Sequence, residues 1–412
     1  MILPSERDKL LSMQTELWMR SGFGAACFRA ACAGVGTLVV IFSAFLGAAA
    51  AVAEPSRSCG DLPDLGDGWE IAAPAQEGLD PESICTLGSR LAALKDADPH
   101  GIVVVRHGRL VYEAYFPGGD QRWPQQHWNE ALVDMPHDVR TKHDLQSITK
   151  SVTALLVGIA LDRGDLKTLD APVLLFFPAY DDLRTPEKLR ITVRDLLTMS
   201  TGLSWRYKPY LSMARRMDAA PDPFRLVLEQ PMVGVPGDDW HYNNGAAELA
   251  GAVVQRATGL PLDQFAKSAL FDPLAIEDWE WGRMANGDPG ASWGLRLRPR
   301  DLAKIGQLVL NRGTWHGRRI VSSDWIEQMI APHVVRPKTR YGYLWWLDRR
   351  TVDGRDVDVV SAIGWGGQYL DVVPALDLVV VVTAGVYDFN GGGNQALAGQ
   401  AALDMVLRAT RQ

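Results

Sequence analysis

Three short segments carry residue types that could do chemistry, and the first is Ser147-Ile148-Thr149-Lys150 at the opening of a helical pattern. Residues three apart on a helix share one face, so Lys150 Nζ can reach Ser147 Oγ. A serine hydroxyl is a weak nucleophile until a base takes its proton, and a desolvated neutral lysine can do so. The helix N-terminus adds a positive dipole end where an oxyanion would form. Ser-x-x-Lys is nevertheless expected about once by chance in a chain of this length. An exposed serine and lysine on a helix need no chemistry.

The second segment is Tyr242-Asn243-Asn244, after Pro236-Gly237-Asp238-Asp239-Trp240-His241. A tyrosine near an ammonium can give up its proton below its ordinary pKa and shuttle it. An asparagine amide beside it could hold both the lysine and a substrate carbonyl. The plainer reading is a turn, then a helix from Gly245 to Thr258, with the tyrosine packed. The third is Gly364-Trp365-Gly366-Gly367-Gln368 before a strand from Tyr369 to Val373. Glycines let a backbone approach a ligand closely and leave N–H groups free to hold an oxyanion. Its plainer reading is a glycine-rich hairpin turn. Each signal alone is weak; together, in this order and on these elements, they are strong.

The surrounding pattern supplies elements to position them. Ile102 to Val105 and Leu110 to Tyr112 flank His107-Gly108, which predicts a β-hairpin. A polar loop is expected from Pro117 to His143. Val152, Leu155, Leu156 and Ile159 follow helical spacing after Ser147, with Arg163 in the last turn and Gly164 at C′. Thr192 and Asp195 form a capping-box pattern at the start of another helix. Helices and loops are expected on to about residue 290, and an amphipathic helix over Asp301 to Asn311. Strands are predicted over Tyr341 to Leu347, Val357 to Ala362 and Leu370 to Thr383, and a last helix over Asn394 to Arg408. Strands at both ends with helices between them predict an α/β body assembled from the termini around a helical insertion, without internal repeats.

Composition excludes other classes. The 412 residues are 47% hydrophobic and 22% charged, which is globular and excludes a disordered or fibrous chain. A net charge of −7 gives no pull toward nucleic acid, and no local basic patch stands out. Residues Ala30 to Ala53 lack charged side chains, follow Arg20 and Arg29, and end in small residues before Glu54. That layout predicts a signal peptide over 1–53, with translation starting at Met1, Met13 or Met19. An uncleaved membrane anchor is the other reading, and it would be the only membrane association. Either way the chain is expected to be exported, to the periplasm or beyond. Cys27 and Cys32 fall in the leader; Cys59 and Cys85 follow it and are expected to pair in an oxidising compartment. No H-E-x-x-H, Cys/His motif, G-x-G-x-x-G or Walker loop is present, so no metal or cofactor is expected.

With these motifs quoted, the chain resembles the serine β-lactamase-related hydrolases of the class C β-lactamase and D-alanyl-D-alanine carboxypeptidase type. It is most similar to the branch of family VIII carboxylesterases and 6-aminohexanoate-dimer hydrolases. The resemblance covers roughly residues 75 to 410. Ser147 to Lys150 matches S-x-x-K, and Tyr242-Asn243-Asn244 matches Y-x-N. Ile191 to Leu203 and Asp301 to Gly306 match supporting segments, while Tyr341 to Trp346 and Gly364 to Gln368 point to the esterase-like branch. The resemblance implies a β-lactamase/transpeptidase-like α/β (α+β) fold, with a mostly antiparallel sheet flanked by helices beside an all-helical subdomain. The site would lie in the cleft between them. The expected organisation is a leader, a lead over 54–74 and one hydrolase domain over 75–412.

By the same resemblance, Ser147 would be acylated, Lys150 would be its base, and Tyr242 would relay the proton and activate water. Which of Lys150 and Tyr242 is the formal base stays open, because a coupled pair shares its titration. Asn244 would orient Lys150 and substrate, and the oxyanion hole would join the Ser147 N–H to one near Gly366 or Gly367. Trp365-Gly366-Gly367 stands where β-lactamases carry K-T-G, whose lysine helps to hold a substrate carboxylate. That departure disfavours β-lactams and D-Ala-D-Ala and favours small-molecule esters or amides without a carboxylate there. Esters are the first expectation, linear amides or short peptides the second, residual β-lactamase or carboxypeptidase activity the third. A binding protein without turnover is a fourth, and the complete Ser147, Lys150 and Tyr242 set argues against it.

Overall fold

A computed structural model describes residues 62–120, 133–206, 212–352, 354–387 and 393–411. The expected leader, and Cys27, Cys32 and Cys59, lie outside the described residues. Among the described residues no helix is long and apolar enough to cross a membrane.

Alternation of apolar residues builds the main sheet. In β2 (Pro99–Arg106) Val103 and Val105 face one core while Ile102 and Val104 face another. Side chains alternate across a strand, so a strand apolar at every position must be covered on both faces. β2 turns through His107 and Gly108, at φ 51° and 75°, into antiparallel β3 (Arg109–Tyr115). Two successive positive φ values suit the twist of a two-residue hairpin loop. Beyond β3 sits β1 (Glu70–Ile71), the parallel neighbour at that edge. The lead from residue 62 is therefore joined to the sheet. Buried Arg300 fastens it further through the Pro63 carbonyl at 2.9 Å and Asp67 at 3.4 Å.

The other side of β2 carries the C-terminal strands β16 (Leu378–Ala384), β15 (Gln368–Val373), β14 (Arg355–Gly364), β13 (Trp346–Val352), β12 (Thr339–Tyr341) and β11 (Val334–Arg336), all antiparallel. One expected strand over Leu370 to Thr383 is thus two. Pro374 lacks the N–H a ladder needs, and Asp377 turns at φ 47°. The expected Tyr341 to Leu347 strand also divides, because Leu344 sits at φ 58° between β12 and β13.

Helices α1 (Pro81–Cys85), α2 (Leu87–Ala92) and the C-terminal helix (Leu397–Ala409) cover one face of the sheet. On the other face lies α3 (Ile148–Asp162), buried along its whole length from Ile148 to Ala160. Gly158 gives it room: a Cβ there would stand 2.1 Å from the Trp325 indole. Gly164 turns at φ 75° as expected after α3. The capping box opens α4 (Val193–Leu197), with Asp195 Oδ2 accepting from the Thr192 N–H at 2.8 Å. α7 (Asn244–Thr258) packs on α3, and α5 (Ser212–Asp218), α6 (Pro223–Leu228) and α8 (Leu262–Ala266) gather around α7, the expected helical region. It is not purely helical at its border. There β6 (His143–Asp144), β7 (Trp279–Trp281) and β8 (Leu295–Leu297) form a small sheet, and within the expected polar loop β4 (Gly118–Asp120) pairs with β5 (Val133–Met135). These strands have two or three residues, too few for periodicity to reveal. Helix α9 (Pro299–Leu310) packs on β2, β15 and β16, the short antiparallel pair β9 (Thr314–Trp315) and β10 (Arg318–Arg319) follows it, and α10 (Ser323–Met329) packs on α3.

Candidate active site

Ser147 is the one residue between His143 and Ala160 that is not fully buried. It caps α3 at φ −67°, and the residue before it, Gln146, is turned to φ 49°. A non-glycine residue in that region costs roughly 1–3 kcal/mol unless its surroundings hold it there. Asp144 holds it, accepting from the Gln146 N–H at 3.0 Å and from Nε2 at 2.6 Å. The strained step delivers Ser147 to the helix N-terminus at the floor of a cleft.

Lys150, one turn on, is 1% exposed, and its Nζ donates to Ser147 Oγ at 2.7 Å and to the Ser292 carbonyl at 2.9 Å. The spacing that suggested the pair thus becomes a contact. The Ser292 segment is itself held by Glu248 on α7, whose carboxylate accepts from the N–H groups of Ala291 at 2.6 Å and Ser292 at 2.9 Å. Burial pushes the Glu248 carboxyl up; the bonds from Ser292 and Ala291 and the Lys150 charge reverse this only in part. Sequence reading missed Glu248 and Ser292, which stand 98 and 142 residues from Lys150. The available signal was an acid on the otherwise apolar face of α7, four residues after Asn244.

Tyr242 lines the same cleft as Ser147, with Lys150 Nζ 5.1 Å from its ring centre. Its ring stacks on Trp346 at 5.7 Å, and Trp346 meets Tyr341 and Trp240 edge-on. Asn243 caps α7 by accepting from the Ala246 N–H at 3.2 Å, and Asn244 is buried in the first helical turn. Asn244 is not among the cleft-lining residues.

The opposite wall is the end of β14. Ile363, Gly364 and Trp365 line the cleft with Ser147, as do Tyr369, Leu347 and Gln395. A Cβ on Gly364 would stand 2.3 Å from the Leu145 carbonyl, so only glycine lets this strand reach the segment that leads to Ser147. Gly366 and Gly367, expected beside the oxyanion, form the turn between β14 and β15 at φ 85° and 96° and are not among the cleft-lining residues. The Gly366 N–H faces Gln395 Oε1 at 3.5 Å. The turn geometry required these two glycines, so their presence in the sequence signalled a hairpin as well as a site. Trp346 and Trp365 line the cleft, whereas Trp205 and Trp345 are core. The rim carries Lys338, Thr339, Arg340 and Asp348, which no motif marked.

One cluster with metal-ligand chemistry escaped the sequence reading: buried His100, His137 and His143, brought together from β2, the stretch after β5, and β6. Burial pushes His137 down to about 4 and His143 down to about 3, so both are neutral near pH 7. His143 Nδ1 meets the Asp144 carbonyl at 3.0 Å, and its Nε2 meets His100 Nδ1 at 2.9 Å. The His100 and His137 rings stack at 15° and 4.3 Å, so their in-plane lone pairs do not converge on one point. This is hydrogen-bond rather than tetrahedral geometry.

A central, mainly antiparallel sheet thus stands beside a helix-capping serine whose i+3 lysine is buried against it at the cleft floor. The family model described as Beta-lactamase matches residues 97–401, and the chain belongs to that family. It is 30% identical over 188 residues to "Esterase EstB" of Burkholderia gladioli, covering 43% of this chain and 45% of that one. It is 24% identical over 269 residues to a 6-aminohexanoate-dimer hydrolase of Paenarthrobacter ureafaciens, covering 58% and 65%. The chain thus spans about half to two thirds of the length of these curated relatives. A solved family VIII carboxylesterase shares the fold at TM-score 0.61 and 19% identity over 81% of this chain and 99% of that one.

Proposed function

We propose that this protein is an exported serine hydrolase that cleaves carboxylic esters through an acyl-enzyme. The observation that carries the reading is the 2.7 Å contact between Ser147 Oγ and the buried Lys150 amine at the cleft floor. With Lys150 neutral the contact reverses, and Ser147 O–H donates to Nζ. As Oγ attacks the ester carbon, its proton passes to Lys150 and through Tyr242 to the departing alkoxide. Water then attacks the acyl-Ser147 carbonyl, losing its proton to the same pair, which passes it to the departing Ser147 Oγ and so releases the acid and free serine. Glu248 and Ser292 keep Nζ on Ser147, and Asn244 supports that end of the site. The Ser147 N–H supplies one oxyanion donor; the cleft lining favours the second at the Gly364–Trp365 edge rather than at Gly366 or Gly367. The lining by Ile363, Leu347, Trp346, Trp365 and Tyr369 suits an apolar acyl or alkoxy group. The name of the Burkholderia relative agrees with esters.

The second reading, an amidase on linear amides, is supported by the name of the Paenarthrobacter relative. Amides demand fuller protonation of the leaving nitrogen. A p-nitrophenyl ester should therefore turn over at least ~10²-fold faster than the p-nitroanilide of the same acid. Equal or faster anilide turnover would establish the amidase instead.

We also infer the leader over 1–53, one hydrolase unit after it, and a Cys59–Cys85 disulfide. Peptide mapping of the natively expressed protein without reductant should yield a linked Cys59–Cys85 peptide and none from 1–53. Free thiols at both positions, or recovered leader peptides, would remove these assignments.

A further inference from the structure

The proposed oxyanion wall stands on a turn, and what holds that turn lies beneath it. Gln368, fully buried, donates from Nε2 to the Ala384 carbonyl at 2.8 Å and accepts on Oε1 from the Ala384 N–H at 3.1 Å. Because Ala384 offers one donor and one acceptor, the amide can face only one way. The same Nε2 reaches the Trp365 carbonyl at 3.2 Å, inside the turn. Tyr387 closes the far side. Its ring meets Trp365 edge-on at 5.4 Å and fills the space beside Gly366, where a Cβ would stand 2.4 Å from it. Its hydroxyl lies 3.3 Å from Gln368 Nε2 and donates to Asp120 Oδ1 at 3.0 Å.

Asp120 is fully buried, and its Oδ2 accepts from Arg296 at 2.7 Å. Burial would raise this carboxyl, but its interactions with His143 and Arg296 and the bonds from Arg296 and Tyr387 outweigh it and keep it an anion. Burial and the Asp120 charge in turn push the Tyr387 phenol well above its ordinary range, so the hydroxyl remains a donor. Arg296 also donates to the Lys142 carbonyl at 2.9 Å, next to β6. From β6, Asp144 holds the Gln146 turn that presents Ser147. One buried ion pair is therefore tied on one side to the wall and on the other to the nucleophile's turn.

We propose that Tyr387 and Asp120 are positioning residues, which set the distance between the Ser147 N–H and the Gly364–Trp365 edge through Gln368. This deepens the acyl-enzyme reading and rests on it. Donors aimed where charge develops act on the transition state and not on ground-state binding. Displacing them should lower kcat and leave KM in place.

The test is Tyr387→Phe, which removes only the hydroxyl, assayed with a p-nitrophenyl ester beside wild type and Ser147→Ala. Wild-type turnover that Ser147→Ala abolishes shows the acyl-enzyme reading to hold; inactive wild type overturns that reading and this one together. With turnover present, Tyr387→Phe should lower kcat about tenfold with KM within about twofold. Its affinity for a phenylboronic acid, which forms a tetrahedral adduct on the serine, should fall in proportion. All assays are run well below both melting temperatures. Should Tyr387→Phe not fold, Asp120→Asn, which keeps an acceptor for the hydroxyl but loses the charge opposite Arg296, should show the same split. Unchanged kcat, or a change confined to KM with boronate affinity intact, overturns the proposal.

Discussion

Ser147→Ala should lower ester turnover by about 10⁴-fold or more while leaving the melting temperature nearly unchanged. The substitution removes one oxygen from the only partly exposed residue between His143 and Ala160. Lys150 keeps its bond to the Ser292 carbonyl at 2.9 Å, so its buried amine still has a partner. The strained Gln146 step remains held by Asp144, and the cleft keeps its shape. What disappears is the atom that forms the acyl bond, and neither Lys150 nor Tyr242 can replace it. Steady-state kinetics with a p-nitrophenyl ester, beside a thermal melt, check both halves. Retained turnover in a folded variant would remove the acyl-serine mechanism.

The second large effect is expected at Lys150. Lys150→Met keeps an unbranched chain of similar volume in a site 1% exposed, while removing the amine. Turnover should fall about 10³-fold, since a serine without its base is a poor nucleophile. Stability should hold, because the side-chain volume is kept and the Ser292 carbonyl loses a single donor. Lys150→Ala should be nearly as inactive and less stable, since it also opens a cavity. An active Lys150→Met protein would assign the proton transfer to Tyr242 or to water. A variant that merely unfolds would be separated from this outcome by the melt.

The parts of this site that were legible are those written in local spacing. An i, i+3 pair on a helix predicts a contact, and Ser147 and Lys150 make it. The capping box at Thr192, the turn at His107-Gly108 and the stop at Gly164 were legible for the same reason, since each requirement is met within four residues. The run from Leu370 to Thr383 was misread because its apolar residues outweighed Pro374 and Asp377, the two residues in it that break a strand. The supports of the site were not legible at all. Glu248 reaches Ser292 over 44 residues, Tyr387 reaches Asp120 over 267, and the three histidines meet only when β2 and β6 are in place. Tertiary closure makes those contacts, and no sequence period carries them. The proposed oxyanion wall lies between these cases. Glycines near residue 366 marked a strand end that lines the cleft, but two of them serve the turn, and Gly364 makes the close approach to Leu145.

The central claim is a covalent bond to one oxygen, and trapping it is the most direct measurement. Wild-type protein mixed with excess p-nitrophenyl acetate, quenched in acid within the burst and digested with trypsin, releases the peptide from His143 to Lys150. The prediction is that this peptide carries one acetyl group on Ser147, and that the Ser147→Ala peptide carries none. Turnover with no adduct on this peptide, or with an adduct on another residue that survives in Ser147→Ala, would contradict the account.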